Sequence, residues 1–198
     1  MHGAFLRDVQ TVYLLSTLVA NNLQIYFSRA NNATDVGCEL VAGLLNDNRT
    51  RFRALIESHS NDWLGSATFT AEDVKKFKRA HSVANGVVMF FNQVISKLDE
   101  EDAVERIALQ SQRLGASHFR MKVWFQAENW LCVKNCLLDT IMAALMTKPF
   151  MVCGKSITMN QKKSREIWYK VIQFVIQNMK KGFLAVCLQF RPHFFSLT

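Results

Sequence analysis

At 198 residues, 49% hydrophobic and 20% charged, the chain is long enough for one domain with a full core and too apolar to be disordered. A net charge of +8 can steer anions, nucleic acid or acidic headgroups toward the surface, but it does not choose a fold. Two prolines and eight glycines leave few breakers and favour long helices.

In chain order, residues 5–27 read as a first helix. Its run "VQTVYLLSTLVANNLQIYF" (9–27) is apolar but interrupted by Gln10, Ser16, Asn21, Asn22 and Gln24. It falls short of a membrane span and reads as a helix packed on a core, with no secretory signal ahead of it. A new helix starts near Asp35 and places Leu40, Val41, Leu44 and Leu45 on one stripe. The short turn "RTRFRALIE" follows. "TAEDVKKFKRAHSVANGVVMFFNQVISKLDE" then opens on Thr70 with Asp73 three residues later, a capping-box-like start. Val83, Ala84, Val87, Val88, Phe91, Val94, Ile95 and Leu98 recur at three- and four-residue steps, which predicts one amphipathic helix of about 28 residues, roughly 42 Å long. A shorter helix ends at His118. "AENWLCVKNCLLDTIMAAL" and "KKSREIWYKVIQFVIQNMKKGF" predict two more, the second closed by Lys180, Lys181 and Gly182. No alternating strand pattern, repeat or linker stands out, so the expected fold class is all-α.

The five cysteines (38, 132, 136, 153 and 187) form no CxxC and read as reduced intracellular thiols acting as small hydrophobes, which places the chain in the cytoplasm. Cys132 and Cys136 could share a helix face, a spacing that alone makes no metal site. The basic stretches "RTRFR" (49–53) and "KKFKR" (75–79), with Arg113, Arg120 and Lys122, read equally as solvated faces or as partners for an anionic group. Neither a groove-reading helix nor a stacking aromatic stripe accompanies them, so no nucleic-acid partner is expected.

His118, in "RLGASHFRMKV", is the residue on which function turns. A lone histidine at a helix end is a cap, a satisfied polar side chain or a ligand. Leu114 lies one turn earlier on the same face, Gly115 removes bulk beside it, and Val123 and Trp124 follow. An imidazole next to such an apolar slot can ligate iron through one nitrogen and keep the other for a hydrogen bond. Ser117 is no catalytic partner for it, because neighbours in a helix face different ways.

The order of these segments resembles the globins. "DVGCELVAGLLNDNRTRFRAL" resembles the stretch where a glycine, an apolar stripe and an "NP..R..F" turn follow one another. "LGASH" resembles the "LGxxH" of nematode and neuroglobin types, "ENWLCVKNCLLDTI" the next long helix, and "SREIWYKVIQFVIQNMKKGF" the tryptophan-bearing last helix. The resemblance covers roughly residues 20–182. It implies a globin domain there, a helical sandwich around haem b, with an N-terminal helical extension (1–19) and an apolar C-terminal tail (183–198). His118 falls on the proximal iron ligand, with Val41, Leu55, Val83, Val87, Leu114, Val123 and Trp130 lining the cofactor. Arg49 stands where the turn usually has proline, Leu55 or Ile56 where a phenylalanine wedges against haem, and the usual first-helix tryptophan is missing.

On the distal side, His81 would place Gly86 and Gln93 on the buried stripe. Placing Val83 over the iron instead turns Ala84, Val87, Val88, Phe91 and Ile95 inward and buries more apolar surface, at about 1.5–3 kcal/mol per large side chain. The Val83 register is therefore expected, with a bis-histidyl, electron-transferring form through His81 as the alternative. The implied function is binding of O2, NO or CO, with a redox or sensing role favoured over oxygen storage. An electron-transfer partner would serve such a role, and nitrite reduction or NO removal would be a side activity of the iron. A haem-free sensor or interaction module is the third reading. The tail (Phe183, Leu184, Val186, Leu188, Phe190, Phe194, Phe195) is expected to pack on the body ahead of touching a partner or a membrane, and His193 to be a tail residue.

Overall fold

A computed structural model describes residues 33–48, 51–57, 68–98, 100–123, 126–146, 150–152, 155–157 and 161–190. The expected helix over 5–27, the 1–19 extension, Arg49, Trp124, Cys153 and His193 lie outside them. The described chain is all-α apart from one short hairpin. In order it forms α1 (Ala33–Asn46), α2 (Phe52–Glu57), α3 (Ala71–Lys76), α4 (Lys78–Ser96), α5 (Ala103–Arg120), α6 (Ala127–Met146), β1 (Phe150–Val152), β2 (Lys155–Ile157) and α7 (Gln161–Phe190).

The stripe Leu40, Val41, Leu44 and Leu45 buries α1 as its spacing requires. The Asn46 side chain both donates to the Phe69 carbonyl and accepts from the Phe69 N–H, each at 2.8 Å. This ties the end of α1 to the segment leading into α3. Part of the "RTRFRALIE" turn is itself helical, as α2, because Ile56 buries against the α1 face.

The single long helix expected after Thr70 is two helices. Thr70 and Asp73 do form a capping box at the start of α3. At Phe77, however, the backbone is extended (φ −96°, ψ 108°) before α4 begins. Nothing in "KKFKR" breaks a helix locally; the Phe77 ring instead packs edge-on against Phe69, centroids 6.0 Å apart. Beyond the break α4 buries Ala80, Ala84, Val88, Phe91, Val94 and Ile95. It crosses α1 where Gly37 faces Ala84: a Cβ on Gly37 would lie 2.6 Å from the Ala84 carbonyl oxygen. Only glycine permits so close a crossing.

A second close crossing joins α5 to α7. Gly115 meets the Met179 backbone and Gly182 meets the Gln112 backbone, so the two helices run antiparallel with almost no side chain between them. Gly182 is therefore no helix cap. α7 continues eight residues beyond it to Phe190 and buries Phe183 and Val186. Ser164–Gln189 is long and apolar enough to cross a membrane by composition, but its Trp168, Ile172, Val175 and Met179 are spent on the protein core.

The β-hairpin, absent from the sequence reading, pairs Phe150 with Ile157 and Val152 with Lys155 antiparallel. Three-residue strands are too short to show a period of two. In the assembly α4 lies on α1, α5 lies on α7, and α6 bridges the two pairs by packing on both α1 and α7. Among the described residues α4 and α5 share no run of close backbone contacts. Among the described residues, one large cluster (Leu40, Phe91, Val94, Leu138, Trp168, Ile172 and others) and a smaller one around Cys38, Val41, Val74 and Ala84 make up the core.

Candidate functional site

His118 sits in the last turn of α5, and its Nδ1 lies 2.9 Å from the Leu114 carbonyl oxygen. A carbonyl can only accept, so Nδ1 carries the hydrogen. Burial disfavours the imidazolium and pushes the His118 pKa down, against the smaller opposing effect of the Leu114 hydrogen bond. The ring is thus a neutral imidazole with its lone pair on Nε2, the tautomer a metal ion requires.

Three contacts fix where that ring stands. Trp130, at the start of α6, packs on it with centroids 5.7 Å apart and planes inclined by 54°. The next residue, Phe119, packs edge-on against Phe183 of α7 at 5.1 Å. Gly115, one turn before His118, admits the α7 backbone; the bare face expected to receive a flat ligand is taken by α7 instead. After the helix, Lys122 adopts a left-handed conformation (φ 59°), and the Val123 N–H donates to the His118 carbonyl at 2.9 Å. This turn ends the helix and brings the Val123 backbone back to the His118 carbonyl.

The other expected site residues fall on five helices and the turn. Val41 is fully buried on α1, while Leu55 (α2), Val83 and Val87 (α4), Leu114 (α5), Val123 and Trp130 are all half-buried. Val87, Leu114 and Trp130 each pack against the large cluster, whereas Val41 belongs to the small one and Val83 packs against it. Phe52 packs on both clusters, a junction that the sequence reading missed by weighing only Leu55 and Ile56 for an aromatic wedge. The signal was the phenylalanine in "RTRFR". Beside Val87 lies a wholly apolar cavity of about 20 Å³, lined by Val36, Gly37, Leu40, Val87, Val88, Phe91, Leu137 and Ile141. It holds about one water-sized molecule and offers it no hydrogen bond.

His81 is half-buried on α4, and its Nε2 is 3.4 Å from the Asn85 Nδ2 one turn on. Gly86 and Gln93 are exposed, whereas Ala84, Val88, Phe91 and Ile95 are buried. Two cations of "KKFKR" are committed elsewhere: Lys75 pairs with Asp35 and Glu72, and Lys76 with Asp73. Arg53 stacks over Phe69 at 4.9 Å. Arg113, Arg120 and Lys122 are exposed on either side of His118 in the chain.

Cys38, Cys132, Cys136 and Cys187 are thiols, not disulfides. Burial, followed by a hydrogen bond to Asp47, pushes the Cys132 pKa well above the ordinary thiol range.

No protein-family model matches the chain, and no match is found among curated proteins or among solved structures. The site therefore stands on its own geometry.

Proposed function

We propose that the chain is a globin-type haem protein in which His118 would hold the iron of haem b and the iron would bind a diatomic gas. The observation that carries this reading is the Nδ1–Leu114 hydrogen bond, which leaves a neutral, part-buried imidazole with Nε2 as its only lone pair. Two features of the surroundings support this reading. Apolar side chains from α2, α4, α5 and α6 are half-exposed where a core would seal them, and α4 and α5 are each held by a different partner helix. Haem bound there would supply an iron able to bind the gas.

The chain's own residues then set the chemistry. Leu114 orients the imidazole, Trp130 holds its plane, and Val87 and Leu114 exclude water. Val83 and Val87 present no donor to a polar ligand, and His81 already has Asn85 beside its Nε2. Such walls favour a redox or gas-sensing role over long retention of oxygen. A haem-free interaction module is the second reading, favoured by the continuity of the large core cluster around Val87, Leu114 and Trp130.

The test is the absorption spectrum of the purified chain after haem addition, ferric and then reduced, with and without carbon monoxide, beside His118→Ala. The expected result is a five-coordinate ferrous spectrum that carbon monoxide converts at once and that the variant lacks. A low-spin spectrum before gas is added would instead make His81 a second ligand. A chain that stays colourless would leave the haem-free module.

A further inference from the structure

We propose that the outer face of the α5–α7 pair docks on a membrane leaflet rich in anionic phospholipid, with both helices lying along its surface. The charge of the chain is concentrated there. Residues 106–127 and 167–198 hold eight of the 24 cationic residues and none of the 16 acidic ones. The rest of the chain is therefore balanced, and the whole net charge of +8 resides in these two stretches. The first carries Arg106, Arg113, Arg120 and Lys122 along α5 and the turn after it. The second carries Lys170, Lys180 and Lys181 along α7, and Arg191 outside the described residues.

The two glycine crossings bring both stretches to one surface. Gly115 meets the Met179 backbone and Gly182 the Gln112 backbone, so in the antiparallel pair Arg113 stands level with Lys181, and Leu109 with Ala185. On α5, Arg106, Leu109, Arg113 and Arg120 recur at steps of three, four and seven and share a face. On α7, Lys181, Leu184 and Leu188 do the same. Both rows are exposed, and each lies across its helix from the residues that face the core, Ile107 and Leu114 on α5 and Trp168 and Ile172 on α7. Arg106 is paired with Glu100 and Asp102, and Lys170 with Glu166. Among the described residues no ion pair takes up Arg113, Arg120, Lys180 or Lys181. His118 meets Trp130 from the other side of α5, so this face does not rest on the haem reading.

Cations alone would suit any polyanion, and the leucines decide between them. A helix lying in a membrane interface sinks aliphatic side chains into the headgroup boundary while its Lys and Arg meet anionic lipid. Leu109, Leu184 and Leu188 are 48%, 45% and 61% exposed, interleaved with the cations and of the chemistry that a leaflet receives. A nucleic-acid strand is held by stacking on aromatic rings, and neither row carries one. The contact is with the surface of the bilayer and does not span it, because the opposite side of α7 is committed to the core.

The experiment is co-sedimentation of the full-length chain with vesicles of phosphatidylcholine alone and of phosphatidylcholine with about one-third phosphatidylserine, at low and at physiological salt. Binding is expected to the anionic vesicles, weaker at the higher salt. At about fivefold per cation, Arg113→Gln with Lys181→Gln should weaken it about 25-fold. Leu184→Ala with Leu188→Ala should weaken it about tenfold. Lys78→Gln with Arg79→Gln, which removes the same charge from α4, should have a much smaller effect. The comparison of the two vesicles needs no variant to fold. No binding to either vesicle, equal binding to both, or an equal loss in the α4 variant would each overturn the proposal. So would undiminished binding of the leucine variant together with transfer of the chain from vesicles to single-stranded RNA, which would make the face a nucleic-acid surface.

Discussion

His118 is held neutral by burial in a position where the unfolded chain would leave it free to take a proton. Its pKa is lowered in the folded state, so between that value and the ordinary histidine value of about 6.5 the unfolded chain binds the extra proton. Stability contributed by the neutral ring is therefore full above about pH 6.5 and falls as pH is lowered through that window, with a slope of at most about 1.4 kcal/mol per pH unit. Urea midpoints at pH 7.5 and 5.5 should show the wild type losing more than His118→Gln. An equal loss would mean that the folded imidazole protonates as readily as the unfolded one. The "LGASH" spacing was enough to single out this histidine and to place Leu114 one turn before it. The sequence could not show that the Leu114 carbonyl selects the tautomer, because a backbone hydrogen bond depends on ring rotation and not on residue type.

At the scale of helices, the buried faces of α1 and α4 were legible because they repeat with the period of the helix. Three features were not. Phe77 interrupts the long helix through a ring contact with Phe69, made outside the helix. Gly182 looks like a cap next to Lys180 and Lys181 but serves a crossing with Gln112. Gly115 looks like room for a ligand and is room for α7. A glycine's neighbour is a tertiary fact, so the same letter carries opposite consequences at different sites. Gly115→Ala and Gly182→Ala each drive a Cβ into facing backbone and should cost about 1–3 kcal/mol or more. Gly43→Ala and Gly86→Ala meet nothing within 4 Å and should instead stabilise their helices by about 0.5–1 kcal/mol. Thermal melts of the four single variants separate the two classes. Loss of stability at Gly86 would show that α4 has a neighbour outside the described residues.

Across the whole molecule, the last two turns of α7 turn an apparent tail into part of the frame that positions His118. Four of the tail's hydrophobic residues divide by position along the helix: Phe183 and Val186 are buried, and Leu184 and Leu188 are exposed. Phe183 meets Phe119, the residue after His118, so α7 grips the end of α5 just past the Gly115–Gly182 crossing. Removing that ring leaves both a cavity and a loosened helix end. Phe183→Ala should cost about 3–5 kcal/mol, while Leu188→Ala should stay within about 0.5 kcal/mol. The coupling to the site gives a second readout. On the proposed haem reading, if Phe183 anchors the end of α5, haem should be lost faster from Phe183→Ala than from Leu188→Ala when apomyoglobin is added as an acceptor. Equal urea midpoints for the two variants would mean that residues 183–190 are an appendage. A lowered midpoint with unchanged haem loss would mean that they brace the fold without reaching His118.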